Sequence, residues 1–110
     1  MSKMISLIYT TTSNKEEAES IGKTIVKERL GGCSNIINNI DSIYWWENNI
    51  EKDKETILLI KTLEENVEKV INRIKEIHSY ENPCILAIPI SNVSDSYLKW
   101  LKEEVEIKDK

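Results

Sequence analysis

At 110 residues the chain is long enough to bury one core without staples, and a single domain spanning residues 1–110 is expected. Its 31% charged and 40% hydrophobic content is that of an ordinary soluble globular protein. The net charge is -4, with Lys and Arg scattered among Glu and Asp, so no basic face forms for a phosphate backbone and nucleic acid is excluded as an expected partner.

The N-terminal apolar run is too short for a signal peptide or a membrane span, which points to a cytoplasmic location and no membrane partner. Residues 4–10 read as a first strand, apolar enough to be central in a sheet. Ser13 then offers an N-cap, with Glu16 placed to reach back to its amide. The helix that follows carries Ala18, Ile21, Gly22, Ile25, Val26 and Leu30 on one stripe. Gly31-Gly32 is expected to end it through the left-handed conformation.

Residues 33–46 and 55–62 form the two arms of a β-hairpin, with the charged segment 47–54 as its reversal. Fourteen extended residues at about 3.3 Å each reach roughly 46 Å, whereas a domain of this size is only about 34 Å across. Either the arm bends, for which Asn38-Asn39 is the place, or its tip projects. A projecting tip exposes Ile43, Tyr44, Trp45 and Trp46, a liability that a second chain removes, so a homo-oligomer is expected.

Thr62-Leu63-Glu64-Glu65 repeats the cap signature ahead of Val67, Val70, Ile71, Ile74 and Ile77, predicting a second helix as far as His78. Pro83 stops it. Residues 84–90 are a last strand, with Pro89 at an edge or exit. Ser94 or Asp95 caps a final helix bearing Tyr97, Leu98, Trp100, Leu101 and Val105, and residues 107–110 read as frayed. This succession predicts an α+β fold, a ferredoxin-like βαββαβ sandwich with a long hairpin between its second and third strands and an extra C-terminal helix.

No glycine-rich phosphate loop, Cys-x-x-Cys, nucleophile elbow or His-Glu-x-x-His is present, so no enzymatic constellation is identified. His78, the sole histidine, can bind a borderline divalent metal or simply cap the carbonyls at its helix end. Cys33 and Cys84 lie in apolar runs and read as buried thiols in a reducing compartment. Glu47, Glu51, Asp53 and Glu55 alternate with Lys52 and Lys54 and read as a solvated turn. Lys61, in an otherwise apolar strand, needs a carboxylate partner or an anionic ligand, and Glu81 is a candidate for the first.

Six segments, in order, resemble the CutA divalent-cation tolerance family. They are Tyr9-Thr10, Gly32-Cys33-Ser34-Asn35-Ile36, Ser42-Ile43-Tyr44-Trp45-Trp46-Glu47, Ile60-Lys61-Thr62, His78-Ser79-Tyr80-Glu81-Asn82-Pro83 and Tyr97-Leu98-Lys99-Trp100-Leu101. The resemblance implies a tightly packed homotrimer braced by its hairpins and a role in tolerance of copper and other divalent cations. It also implies a ligand site at subunit junctions, to which Tyr44, Trp46, Lys61, Tyr80 and Glu81 are assigned, with His78 and Cys33 as the metal positions. Some members are thought to bind copper through a cysteine on the first strand and two adjacent histidines. The matching positions here are Tyr9, Ile77 and His78, so the cofactor expected is a divalent metal ion such as copper, weakly held or absent. Asn38-Asn39 stands where the family has Pro-Gly. Two further readings are a trimeric regulator of the PII kind, which binds small molecules between subunits, and a structural trimer without a ligand.

Overall fold

Alternation along the first strand sorts the two faces of a single sheet. In the computed structural model, which describes residues 5–106, β1 (Ile5–Thr12) buries Ser6, Ile8, Thr10 and Thr12 on one side while Leu7, Tyr9 and Thr11 are only half-buried on the other. The remaining elements are α1 (Lys15–Lys27), β2 (Cys33–Trp46), β3 (Asn49–Leu63), a 3₁₀ turn (Glu64–Asn66), α2 (Val67–Ile77), β4 (Ile85–Ile90) and α3 (Asp95–Glu106). The strands lie in the order β2-β3-β1-β4, each antiparallel to its neighbours, which is the ferredoxin-like arrangement. Met4 of the expected first strand and the tail 107–110 lie outside the described residues.

Helices α1 and α2 cover one face. Ile8, Leu58 and Ile60 from the sheet meet Ala18, Ile21 and Ile25 of α1 and Val70 and Ile74 of α2, and all are shut off from water. The opposite face is covered at one end only, where Leu101 and Val105 of α3 pack on Ile5 and Leu63. Register then places Leu86 beside Tyr9, Ile88 beside Leu7 and Ile37 beside Ile57 on the uncovered part of that face. Leu86, Ile88 and Ile37 are each about half exposed.

The cap of α1 sits one residue later than the sequence suggests. Asn14, in extended conformation, accepts the Glu17 amide at 2.8 Å, and Glu17 reaches back to the Ser13 amide at 3.0 Å. The glycines also have a different role from the one expected. Arg29 takes the left-handed conformation (φ 63) and neither glycine does. Gly31 is instead a close approach, since a Cβ there would lie 2.6 Å from Ile60 Cγ2, and a Cβ on Gly32 would run into Leu101 of α3. The second helix likewise begins differently, because Thr62 stays in β3 and donates to the Leu30 carbonyl at 2.6 Å; the 3₁₀ turn leads into α2.

The hairpin is longer and tighter than its composition implies. Its reversal is the two residues Glu47 and Asn48, both at positive φ (48 and 67), the geometry of a type I′ turn. The charged run beyond them is strand: Asp41 and Lys54 form a cross-strand ion pair at 2.9 Å. The expected bend is present. Pairing slips between Ile37 and Ile40, Asn39 is left-handed (φ 64), and Asn38 Oδ1 accepts the Thr56 hydroxyl at 2.7 Å.

Candidate functional site

Where α2 ends, His78 turns back under the sheet. β4 parts from β1 after the Thr10–Ile85 pair, and the imidazole takes its place at the next residue, Nε2–H donating to the Thr11 carbonyl at 2.9 Å. Nδ1 therefore accepts, and it takes the Tyr80 amide at 3.1 Å. The His78 side chain is fully buried, with Glu17 Oε2 at 3.7 Å from Nδ1. The same carboxylate oxygen accepts the Ser79 amide at 2.7 Å, so Glu17 ties the loop after α2 to the start of α1.

Tyr80 carries this loop onto the hairpin. Its ring lies 4.8 Å from that of His78, and its hydroxyl donates to Glu55 Oε2 at 2.6 Å. Two residues along β3, Asp53 accepts the hydroxyl of Tyr44 from the facing strand. Burial and the Glu55 carboxylate push the Tyr80 hydroxyl well above its ordinary range; the Asp53 carboxylate pushes Tyr44 up to about 12. Both phenols are thus fixed as donors at neutral pH.

Burial alone would raise the Glu17 carboxyl, but the Ser13 and Ser79 amides and the Ser13 hydroxyl outweigh it and hold the group at about 2. A carboxyl depressed from 4.5 in this way contributes stability that is complete above the unfolded value and is lost as pH falls toward 2. Acid denaturation should therefore be shallower between those pH values in Glu17→Gln than in the wild type, as followed by circular dichroism. Equal pH slopes would show that the carboxylate is not anchored as described.

A second group lies at the far end of β3, six residues or roughly 20 Å from Glu55. Lys61 Nζ is 4.0 Å from Cys33 Sγ and 5.8 Å over the Tyr97 ring, so its partners are a thiol and an aromatic face rather than Glu81. Cys33 Sγ also contacts Asn35 Oδ1 at 3.7 Å. Glu81 is exposed in its loop, and Trp46 is 57% exposed beside the turn. Of the residues assigned to a ligand site, one chain thus brings Tyr44 and Tyr80 to neighbouring positions on β3 and holds Lys61 apart from them. The sequence reading missed Glu17 and Thr11, and left Glu55 and Asp53 in a solvated turn. Glu17 could have been found from its spacing to Asn14.

His78 and Cys33 belong to different groups, and both ring nitrogens of His78 are already engaged. Among the described residues no three His, Cys, Asp or Glu side chains are placed to hold a metal ion. The donor set that the described residues of one chain bring together does not fit a resident divalent ion. The cysteines also depart from expectation: Cys33 is half-buried and Cys84 exposed, because they flank the two edges of a half-covered sheet. Both are free thiols, and three strand spacings, roughly 14 Å, separate those edges.

An open groove of 760 Å³ runs beside the free edge of β2, lined by Glu16, Glu19 and Lys23 of α1 and by Ser34 and Ile36. Among the described residues no helix is long and apolar enough to cross a membrane.

Residues 6–104 match the family described as CutA1 divalent ion tolerance protein. The chain is 44% identical over 100 residues to the divalent-cation tolerance protein CutA of Pyrococcus horikoshii, covering 91% of this chain and 97% of that protein. It is 38% identical over 96 residues to the chloroplastic protein CutA 1 of Oryza sativa, covering 87% of this chain but 54% of that longer protein. Among solved structures, the periplasmic divalent cation tolerance protein CutA of Archaeoglobus fulgidus superposes with a TM-score of 0.90 at 40% identity, covering 93% of this chain and 99% of that one.

Proposed function

The chain belongs to the CutA1 divalent ion tolerance family, and from that premise we propose that it acts as a cytoplasmic homotrimer that binds a small ligand or a divalent cation between its copies. The observation that carries this reading is the uncovered sheet face. Ile37, Leu86 and Ile88 lie open beside Leu7, Tyr9 and Leu59, and on the other face of the hairpin ribbon Ile43, Trp45 and Ile50 are about two-thirds exposed. Water-exposed apolar surface on that scale favours association at about 25 cal/mol per Å² removed.

Lys61 lies near the end of β3 and the Tyr44–Tyr80 pair is bonded to its middle at Asp53 and Glu55, so a cleft containing both takes Lys61 and Cys33 from one copy and Tyr44, Tyr80 and Glu55 from the next, with Trp46 and Glu81 at its rim. Such a cleft offers an ammonium, two phenolic donors and carboxylates, which suits a small polar molecule. Copper is the first cation to test, and its ligands would have to come from more than one chain. No reaction is assigned, since no nucleophile with an activating base is assembled in either group.

Sedimentation equilibrium at micromolar concentration tests the assembly: a particle of three times the 12.8 kDa chain mass is expected, and a folded monomer would overturn the reading. Thermal-shift measurements on that particle with Cu(II), nucleotides and 2-oxoglutarate then test the cleft, because a ligand of the native state raises its melting temperature. Silence from all three would reduce the role to that of a scaffold.

A further inference from the structure

Strand register sets a thiol and an amine side by side at one end of the sheet. Cys33 opens β2, and Lys61 is the residue directly across from it on β3, so the two side chains rise from the same face, where Tyr97 of α3 packs. Sγ and Nζ lie 4.0 Å apart. The Lys61 N–H donates toward the sulfur while the thiol hydrogen goes to Asn35 Oδ1 at 3.7 Å, which leaves a sulfur lone pair facing the amine.

The same register denies this arrangement to other candidates. On the ribbon, Lys52 stands across from Ile43 and Lys54 across from Asp41. The second thiol, Cys84, precedes β4, whose neighbouring strand β1 carries no lysine. Backbone pairing thus singles out one thiol and one amine.

We propose that Cys33 and Lys61 are an acyl-transfer pair, the thiol taking an acyl group from a small thioester and passing it to the Lys61 amine. In the first step the Cys33 sulfur attacks the thioester carbonyl, the bond to the donor's sulfur breaks, and the Cys33 proton leaves with the released thiol. In the second, Lys61 gives its ammonium proton to solvent and attacks the carbonyl carbon now carried on Sγ. The carbon–sulfur bond breaks, and a proton from the nitrogen returns to Cys33. The thiol is regenerated, the product is an amide, and nothing is oxidised or reduced.

The setting favours both steps. Cys33 is half-buried on an edge strand, so a donor can approach from the side that has no neighbouring strand. A carbonyl carbon bonded to Sγ and turned toward Nζ falls inside the about 3–3.5 Å from which such attacks proceed. Tyr97, its ring centroid 5.8 Å from Nζ, keeps the amine at this end of the strand. Because an amide carries no charge, the transfer removes the cation that the proposed cleft takes from this copy. That consequence rests on the cleft, whereas the transfer takes place within one chain.

The experiment incubates the full chain with N-acetyl-S-acetylcysteamine at one fixed pH and locates acetyl groups by peptide mass spectrometry, with circular dichroism as the check on folding. Lys61 should be acetylated roughly tenfold or more faster than the exposed Lys52 and Lys54, the advantage of a delivered over a collisional acyl group. In Cys33→Ser, Lys61 should fall to the level of those two lysines. In Lys61→Arg the acetyl group should build up on Cys33 as a hydroxylamine-labile thioester beyond its wild-type amount. Lys61 acetylation that persists in Cys33→Ser would overturn the proposal, as would an unmodified Lys61 in the wild type or a Cys33 thioester no more abundant in Lys61→Arg. Sedimentation of the same samples reads the assembly separately.

Discussion

Lysine at both Ile43 and Trp45 should break the assembly into monomers while leaving each protomer folded. The two side chains are 69% and 72% exposed in the single chain, so the protomer loses little when they are replaced. In the proposed trimer each becomes buried, and burying one large apolar side chain is worth about 1.5–3 kcal/mol. Two such residues in three copies amount to roughly 9–18 kcal/mol per assembly. Lysines on an exposed strand also discourage re-pairing. Sedimentation equilibrium reads the result, with circular dichroism as the check on folding. A double variant that keeps the wild-type mass would show that the arm is not what holds the copies together.

The opposite pattern is expected at Leu58, which is fully buried on the helix face between Thr10 and Ile36. Leu58→Ala should cost about 2–5 kcal/mol, the lost transfer energy plus the void left behind. Urea unfolding should show this as a lower midpoint at an unchanged slope. Leu86→Ala on the uncovered face is the control. Measured in the monomeric arm variant, it should cost far less, because half of that side chain is already in water. Equal losses at the two positions would mean that the uncovered face is packed within one protomer after all.

The succession of strands and helices was legible because each element advertises itself locally: period-two or unbroken apolar runs for strands, three- and four-residue spacing for α1 and α2. The outer part of the second hairpin arm, residues 49–54, was not. Residues 50–54 carry charge at nearly every position, and solvent-facing ribbon and loop look alike in composition when both sides are wet. Nor does Glu47-Asn48 announce a type I′ turn, since glycine usually supplies one of its positive φ angles. Gly31 and Gly32 were noticed but misread, because their reason is Ile60 and Leu101, far away in sequence.

The site was less legible still. Recognising Tyr44 and Tyr80 was possible from segment resemblance, but their partners Asp53 and Glu55 sat inside a run that looked like solvated turn. His78 is an imidazole bonded to a backbone carbonyl and a backbone amide, and neither partner leaves any trace in the residue alphabet. Lys61 found a thiol through strand register with Cys33, which follows only once the hairpin pairing is fixed.

The single extra residue at Asn39 has a consequence beyond bending the ribbon. The two free edges of this sheet, β2 and β4, are unlike each other, so copies that join β2 of one to β4 of the next do so head to tail. Head-to-tail joining ends as a ring only if each step turns by a whole fraction of a circle; otherwise it continues as a filament. The angle at which β2 leaves its sheet enters that step. Flattening the kink is therefore a way to turn a finite particle into an open-ended polymer.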